Sequence, residues 1–340
     1  DLDDVVTVYT YKADSHLVAT VTVYVGSTFS ATVTYSYDSD NRLTGITYPS
    51  GKILEYFYNT QGLIETILFD FEVVAEYSYN ENGAVTSKFL GNGLVEEYYT
   101  TDYRGFLRRI TTDVNGSQVR DLAYQRHLDG RIDYIENLHD SSASQNVTYD
   151  NLYRVIRMTR GELAGTTIPV PTYDENIPYD TMGNIAGNSV TPVYQYSPDF
   201  NGTSTIWDNN GNLTQYNGSS FSYDAFNRMV EANGVKYLYD SQNRRIAKIF
   251  PDGSRTYYVY HGWTCIAEYN EAGVLEKEYV DRVSLDDHLL LSNETSGRKF
   301  FYILDHLNGV DRIVDEVGTE VDLYAYSVYG ETLAGDVGNS

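Results

Sequence analysis

Three features of the sequence predict an all-β fold of tandem hairpins. A motif reading Tyr-Asp/Asn-x-x-Gly/Asn-x-Leu/Val/Ile recurs nine times along the 340 residues. The segments between copies alternate with period two in β-branched and aromatic residues, as in Thr32-Val33-Thr34-Tyr35-Ser36-Tyr37 and Tyr257-Tyr258-Val259-Tyr260. No run carries helical periodicity.

The copies follow in order. Tyr37-Asp38 begins one that runs to Ile46, Tyr58-Asn59 a second, and Tyr79-Asn80 a third at the same spacing. The register then loosens, and the unit returns at Tyr149-Asp150, Tyr179-Asp180, Trp207-Asp208, Tyr223-Asp224, Tyr239-Asp240 and Tyr269-Asn270. Each position has a physical reason. The aromatic closes one strand, and the apolar residue six places on opens the next. The Asp or Asn between them can bond the backbone two residues ahead. The Gly or Asn four places after the aromatic tolerates a positive φ, which tight hairpins demand. Further turn dipeptides stand at Asn92-Gly93, Asn115-Gly116, Asp129-Gly130, Asn217-Gly218, Asn233-Gly234 and Asp252-Gly253.

Between Gly161 and Phe200 lie five of the seven prolines: Pro169, Pro171, Pro178, Pro192 and Pro198. Proline cannot donate to a central ladder. The region at about 161–200 therefore reads as a loop protruding from a continuous sheet, since the repeat resumes on both sides.

Composition agrees with this class. One residue in ten is tyrosine, 34 in all, so tyrosine does part of the packing with its hydroxyl reaching a partner or solvent. Forty-eight acids against 24 bases give a net charge of −24, which opposes nucleic-acid binding. No apolar run is long enough to span a membrane as a helix. The single Cys265 forbids an internal disulfide framework, and its strand-like surroundings make it a buried, inert thiol. Richness in Tyr, Val, Ile and Thr argues against disorder.

These residues resemble the YD repeats of the Rhs family, whose relatives include the C component of insecticidal toxin complexes and the teneurins. The C-terminal part carries a more specific likeness. Tyr302 to Asn308, with Asp305 and His306, then Arg312, Asp315 and Gly318, and finally Tyr324 to Glu331, with Tyr329 and Gly330, are similar to the Rhs-associated core signature. Two departures stand out: Asp311 occupies the usual place of the signature's Arg, with Arg312 one step late, and Val314 replaces Thr. On this resemblance residues 1–299 are the YD-repeat array and 300–340 the core segment, which stops short of any self-cleaving region. The resemblance implies a long sheet, spiralling or curved, as part or all of a hollow β-shell. It implies a non-enzymatic scaffold of a secreted or surface protein, bacterial in origin, that encloses an attached C-terminal polypeptide or presents a recognition surface to an extracellular partner. Open edges of such a wall are liable to pair with another chain.

The remaining candidates are weaker. Asp305-His306 is half of a triad, but neighbours on a strand point to opposite faces and no Gly-x-Ser-x-Gly accompanies them, so a structural role is expected. The six histidines are dispersed without metal-ligand spacing, and no cofactor is implied. Asp208 to Asn212 looks like an oxygen-rich calcium loop but coincides with the repeat's own turn. Acid pairs such as Glu96-Glu97 and Asp286-Asp287 read as a solvated face. Sequons at Asn115, Asn146, Asn201, Asn212, Asn217 and Asn293 fall mostly in turns. Two alternatives remain: a glycan- or protein-binding module using exposed tyrosines, and a β-solenoid carbohydrate-active enzyme with paired carboxylates in a groove.

Overall fold

The computed structural model describes residues 4–13, 15–181, 183, 185, 205–216, 218–282, 287–330 and 332–334. The described residues form two long antiparallel meanders in which every strand pairs with its sequence neighbours. The first has 15 strands, from Val5–Tyr11 to Tyr173–Asn176, and the second 13, from Thr205–Trp207 to Glu320–Leu323. A small two-stranded ribbon follows, and the only helical turn among the described residues is the 3₁₀ segment Ser141–Ala143.

The hairpin expectation holds in detail; the ladder is described as far as Tyr173–Asn176 and again from Thr205–Trp207, and most of residues 182–204 between them lie outside the described residues. Tyr173–Asn176 is the last strand of the first sheet. Pro169 and Pro171 precede it and Pro178 follows, so these three prolines stand outside its ladder. Pro192 and Pro198 lie outside the described residues.

The chain divides into two compact units, 1–58 with 66–74 and 197–308, and 59–65 with 75–196 and 309–340. In the first, tyrosine is a core residue. Tyr48 and Tyr257 are each 1% exposed, and Phe29 stacks on Tyr257 with ring centroids 4.3 Å apart. Their hydroxyls are satisfied: Tyr48 donates to the carbonyl of Tyr279 at 2.9 Å, and Tyr257 lies 3.3 Å from the hydroxyl of Thr28. Val25, Ile46, Leu54, Ile67, Ala267 and Leu289 are buried in the same unit. The fully buried Glu278 is neutralised by Lys52, 2.9 Å away.

The second unit mixes an apolar cluster with buried charge. Ile110, Tyr124 and Ile135 form the cluster, while Glu97 is fully buried between Lys88 and Arg120. Arg120 also reaches Asp311 at 3.5 Å. Glu97 was expected on a solvated face; its strand register instead turns it inward, where two cations hold its carboxyl below the ordinary range against the opposing cost of burial.

Candidate functional site

The repeat motif folds into one recurring device. In the copy at Asp38, the backbone N–H of Asp38 donates to the carbonyl of Arg42 at 3.0 Å, and that of Asn41 donates to the carbonyl of Asp38 at 3.2 Å. Asn41 sits at φ 64°. This is a β-turn closed by a left-handed residue, and the ladder shifts register beside it, between Ser36 and Tyr37. The Asp38 carboxylate caps the loop. One oxygen accepts the backbone N–H groups of Asp40 and Arg42, both at 2.9 Å, and the other accepts the Arg42 guanidinium at 2.7 Å. Burial raises the carboxyl's pKa, but these hydrogen bonds outweigh it and hold the group below the ordinary carboxylate range.

The device repeats at Asp150 with Arg154, Asp224 with Arg228, and Asp240 with Arg244. Where Asn opens the turn, at Asn59, Asn80 and Asn270, the fifth residue is Leu63, Ala84 or Val274 and brings no cation. At the four Asp-led copies the arginine offsets the charge of a partly buried carboxylate, a partner that an amide does not call for. Asp208 builds the same turn, accepting from the backbone of Asn210 and Asn212 and from the Asn212 side chain, so its oxygens serve the turn.

Successive units are tied together by the tyrosine. In the first sheet, turns at Asp38, Asn59, Asn80, Asp102, His127 and Asp150 occupy every second connection. In an antiparallel meander this sets them along one edge. The tyrosine entering one turn therefore lies beside the strand leaving the previous turn. Tyr58 donates to the carbonyl of Leu43, Tyr179 to that of Val155 and Tyr239 to that of Met229. In each case the acceptor is the fifth residue after the preceding Asp. The same rings lie under the preceding arginines: Arg42 is 4.8 Å from the Tyr58 centroid, Arg154 4.1 Å from Tyr179 and Arg228 5.1 Å from Tyr239.

The structure places the other predicted motif residues as follows. Tyr37 donates to the carbonyl of Val18 at 3.0 Å, and Tyr149 packs under Arg131 at 4.7 Å. Tyr223 closes the strand Ser219–Tyr223 before its turn. Asp305 and His306 are not strand neighbours, because the strand ends at Leu304. Asp305 opens a turn of the repeat type, accepting the N–H of Leu307 at 2.8 Å, with Asn308 at φ 63°. Asp315 does the same, accepting the N–H groups of Val317 and Thr319. Arg312, one step late in the signature, pairs with Asp311 at 3.0 Å and Glu320 at 2.9 Å. Gly330, at φ 85°, closes a further turn opened by Ser327, and Tyr329 shares a hydroxyl–hydroxyl hydrogen bond with Tyr179. The signature segment thus continues the same turn chemistry.

One cavity, of about 340 Å³, opens between the strands Arg245–Ile249 and His288–Asn293 in the first unit. Its wall includes Arg245, Tyr258, Tyr260, Cys265 and Glu268. Burial pushes the Cys265 thiol up to about 12 and the Tyr258 hydroxyl up to about 12, so both stay protonated. The Tyr279 hydroxyl donates to Glu268 at 2.9 Å, and His288 Nδ1 lies 2.8 Å from Asp281. No sequence pattern announced this cavity, because its residues come from five consecutive strands.

Residues 5–109 match the family described as Teneurin YD-shell. Over 96% of its length the chain superposes on 20% of a chain in the crystal structure of TcdB2-TccC3-Cdc42, with a TM-score of 0.77 at 15% identity. The resemblance to YD/Rhs proteins holds. The fold is also shared with a chain of the Photorhabdus luminescens Tc holotoxin pore, at a TM-score of 0.77 and 15% identity over 98% of this chain and 20% of that one. The TcdB2-TccC3 crystal structure gives 0.75 at 15% identity over 96% and 20%. The chain therefore spans about a fifth of the length of the solved chains it matches. No curated protein matches it.

Proposed function

We propose that this YD-repeat chain is a non-enzymatic wall segment of a larger secreted or cell-surface protein, bacterial in origin, whose work is to enclose an attached polypeptide. The observation that carries the reading is the turn lattice. Each Asp or Asn closes its own hairpin, and in the copies led by Tyr58, Tyr179 and Tyr239 the tyrosine fastens that hairpin to the one before. A sheet held this way extends strand by strand through its own turns. The fold shared with chains of the TcdB2-TccC3 complexes, each about five times longer, supports a role as part of a larger assembly.

Glu268 and Asp281 line one cavity, and a glycoside-cleaving site would need two such carboxylates free to act on a sugar. Each is already engaged, by the Tyr279 hydroxyl and by His288, and this supports a structural or binding role over hydrolysis. Protease protection tests the scaffold reading. In the longer parent protein, a segment attached beyond this chain should resist trypsin at a dose that digests the same segment expressed alone. Equal digestion rates contradict enclosure.

A further inference from the structure

We propose that Asn92 is a site of covalent modification, where the folded chain deamidates through a succinimide to aspartate and isoaspartate. This goes beyond the scaffold reading and does not depend on it. The reaction needs two free groups. The backbone nitrogen of the next residue attacks the asparagine Cγ, so that an N–Cγ bond forms and the Cγ–Nδ2 bond breaks. The proton lost from the attacking nitrogen leaves with Nδ2 as ammonia. Water then opens the ring at either carbonyl. A following glycine hinders the attack least, because it has no side chain. The two atoms must also come within about 3–3.5 Å of each other, which a hydrogen bond holding either group opposes.

Six Asn-Gly pairs lie among the described residues, at Asn82, Asn92, Asn115, Asn210, Asn233 and Asn308. In five of them the fold engages a group at the reacting pair. Asn115 is tethered through its side chain, with Nδ2 donating to the carbonyl of Val317 at 2.7 Å. Asn233 is held at both ends: Oδ1 accepts the N–H of Ser220 at 3.0 Å, and Nδ2 donates to the Ser219 hydroxyl at 3.1 Å. At Asn82 and Asn210 the attacking nitrogen is occupied, since the N–H of Gly83 donates to the carbonyl of Asn80 and that of Gly211 to the carbonyl of Asp208. Gly309, which follows Asn308, is engaged as well.

Asn92 differs on both counts. It stands exposed in the loop between the strands Val85–Leu90 and Val95–Thr101. Neither its side-chain amide nor the N–H of Gly93 has a hydrogen-bond partner among the described residues. Gly93 has no atom within 4 Å of the point where a side chain would stand, so nothing crowds the ring as it forms. Backbone conformation does not separate the candidates: φ is 57° at Asn92 and 50° at both Asn115 and Asn233. The tethers do. The product adds an acid to this loop and, in its isoaspartyl form, one more main-chain carbon between the strands that carry Lys88 and Glu97.

The test is peptide mapping by mass spectrometry after timed incubation of the 340-residue chain in mildly alkaline buffer, native and in guanidinium chloride. In the native chain Asn92 should convert at least about tenfold faster than Asn115 or Asn233, whose side-chain bonds must first break. In the unfolded chain the tethers are gone, and the three sites should convert at similar rates. Native conversion at Asn92 no faster than at Asn115 or Asn233 overturns the proposal. So does the same preference for Asn92 in the unfolded chain, which would assign the selectivity to sequence and not to the fold.

Discussion

The hydroxyl of Tyr58 donates a 2.7 Å hydrogen bond to the carbonyl of Leu43, the fifth residue after Asp38. The bond links two turns that are 21 residues apart in sequence and adjacent along one sheet edge. Tyr58→Phe keeps the ring under Arg42 and removes only that bond. It should lower stability by about 1 kcal/mol, read as a shift in the urea midpoint with an unchanged slope. An unchanged midpoint would mean that the hydroxyl is not a fastener.

The same Asp–Arg pair sits in two environments. Asp240 and Arg244 have side chains 1% and 7% exposed, whereas Asp224 and Arg228 are 22% and 23% exposed. Arg244→Met strands a buried carboxylate and should cost about 3–5 kcal/mol. Arg228→Met should cost about 1 kcal/mol or less. Equal losses in chemical denaturation would contradict the role assigned to burial.

Tyr153 takes φ 66° at the position where other copies carry Gly or Asn. A bulky residue there is strained. Its ring partly compensates by lying 4.2 Å from the Arg131 guanidinium. Tyr153→Asn should therefore be neutral or stabilising by up to about 1 kcal/mol, since the relieved strain exceeds an exposed cation–π contact. A melting temperature lowered by several degrees would show that the contact between ring and guanidinium outweighs the backbone strain.

His261 packs on Tyr35 with ring centroids 5.4 Å apart, and burial followed by the nearby Arg244 lowers its pKa from 6.5 to about 4. Between those values the unfolded chain takes up a proton that the folded chain refuses. The contribution is thus fully present above about pH 6.5 and is lost as the pH falls toward about 4, a change of up to about 3 kcal/mol. Urea midpoints should fall across that window in the parent, and the fall should be smaller in His261→Phe. Parallel profiles would contradict the assignment.

The hairpin architecture was legible because each turn is local: Asp38 reaches no further than Arg42 to make it. The arginine stood in the sequence at every Asp-led copy named with the device, yet its role required seeing that Asn-led copies lack it. Turns at Asp102, Asp315 and Ser327 also follow the rule. The first two escaped the motif because Thr101 and Val314 replace the aromatic, and the third because Ser327 replaces the acid. The cavity could not be read at all. Arg245 and His288 meet only through the order of five strands, and Trp263 occupies a turn whose sequence does not say which neighbour it faces.

The most direct test of the central claim is an electron cryo-microscopy structure of the parent protein with its attached polypeptide. The account predicts that the two meanders continue into an enclosing sheet with density for the polypeptide inside it. A sheet left open, with the attached polypeptide folded outside, would contradict it.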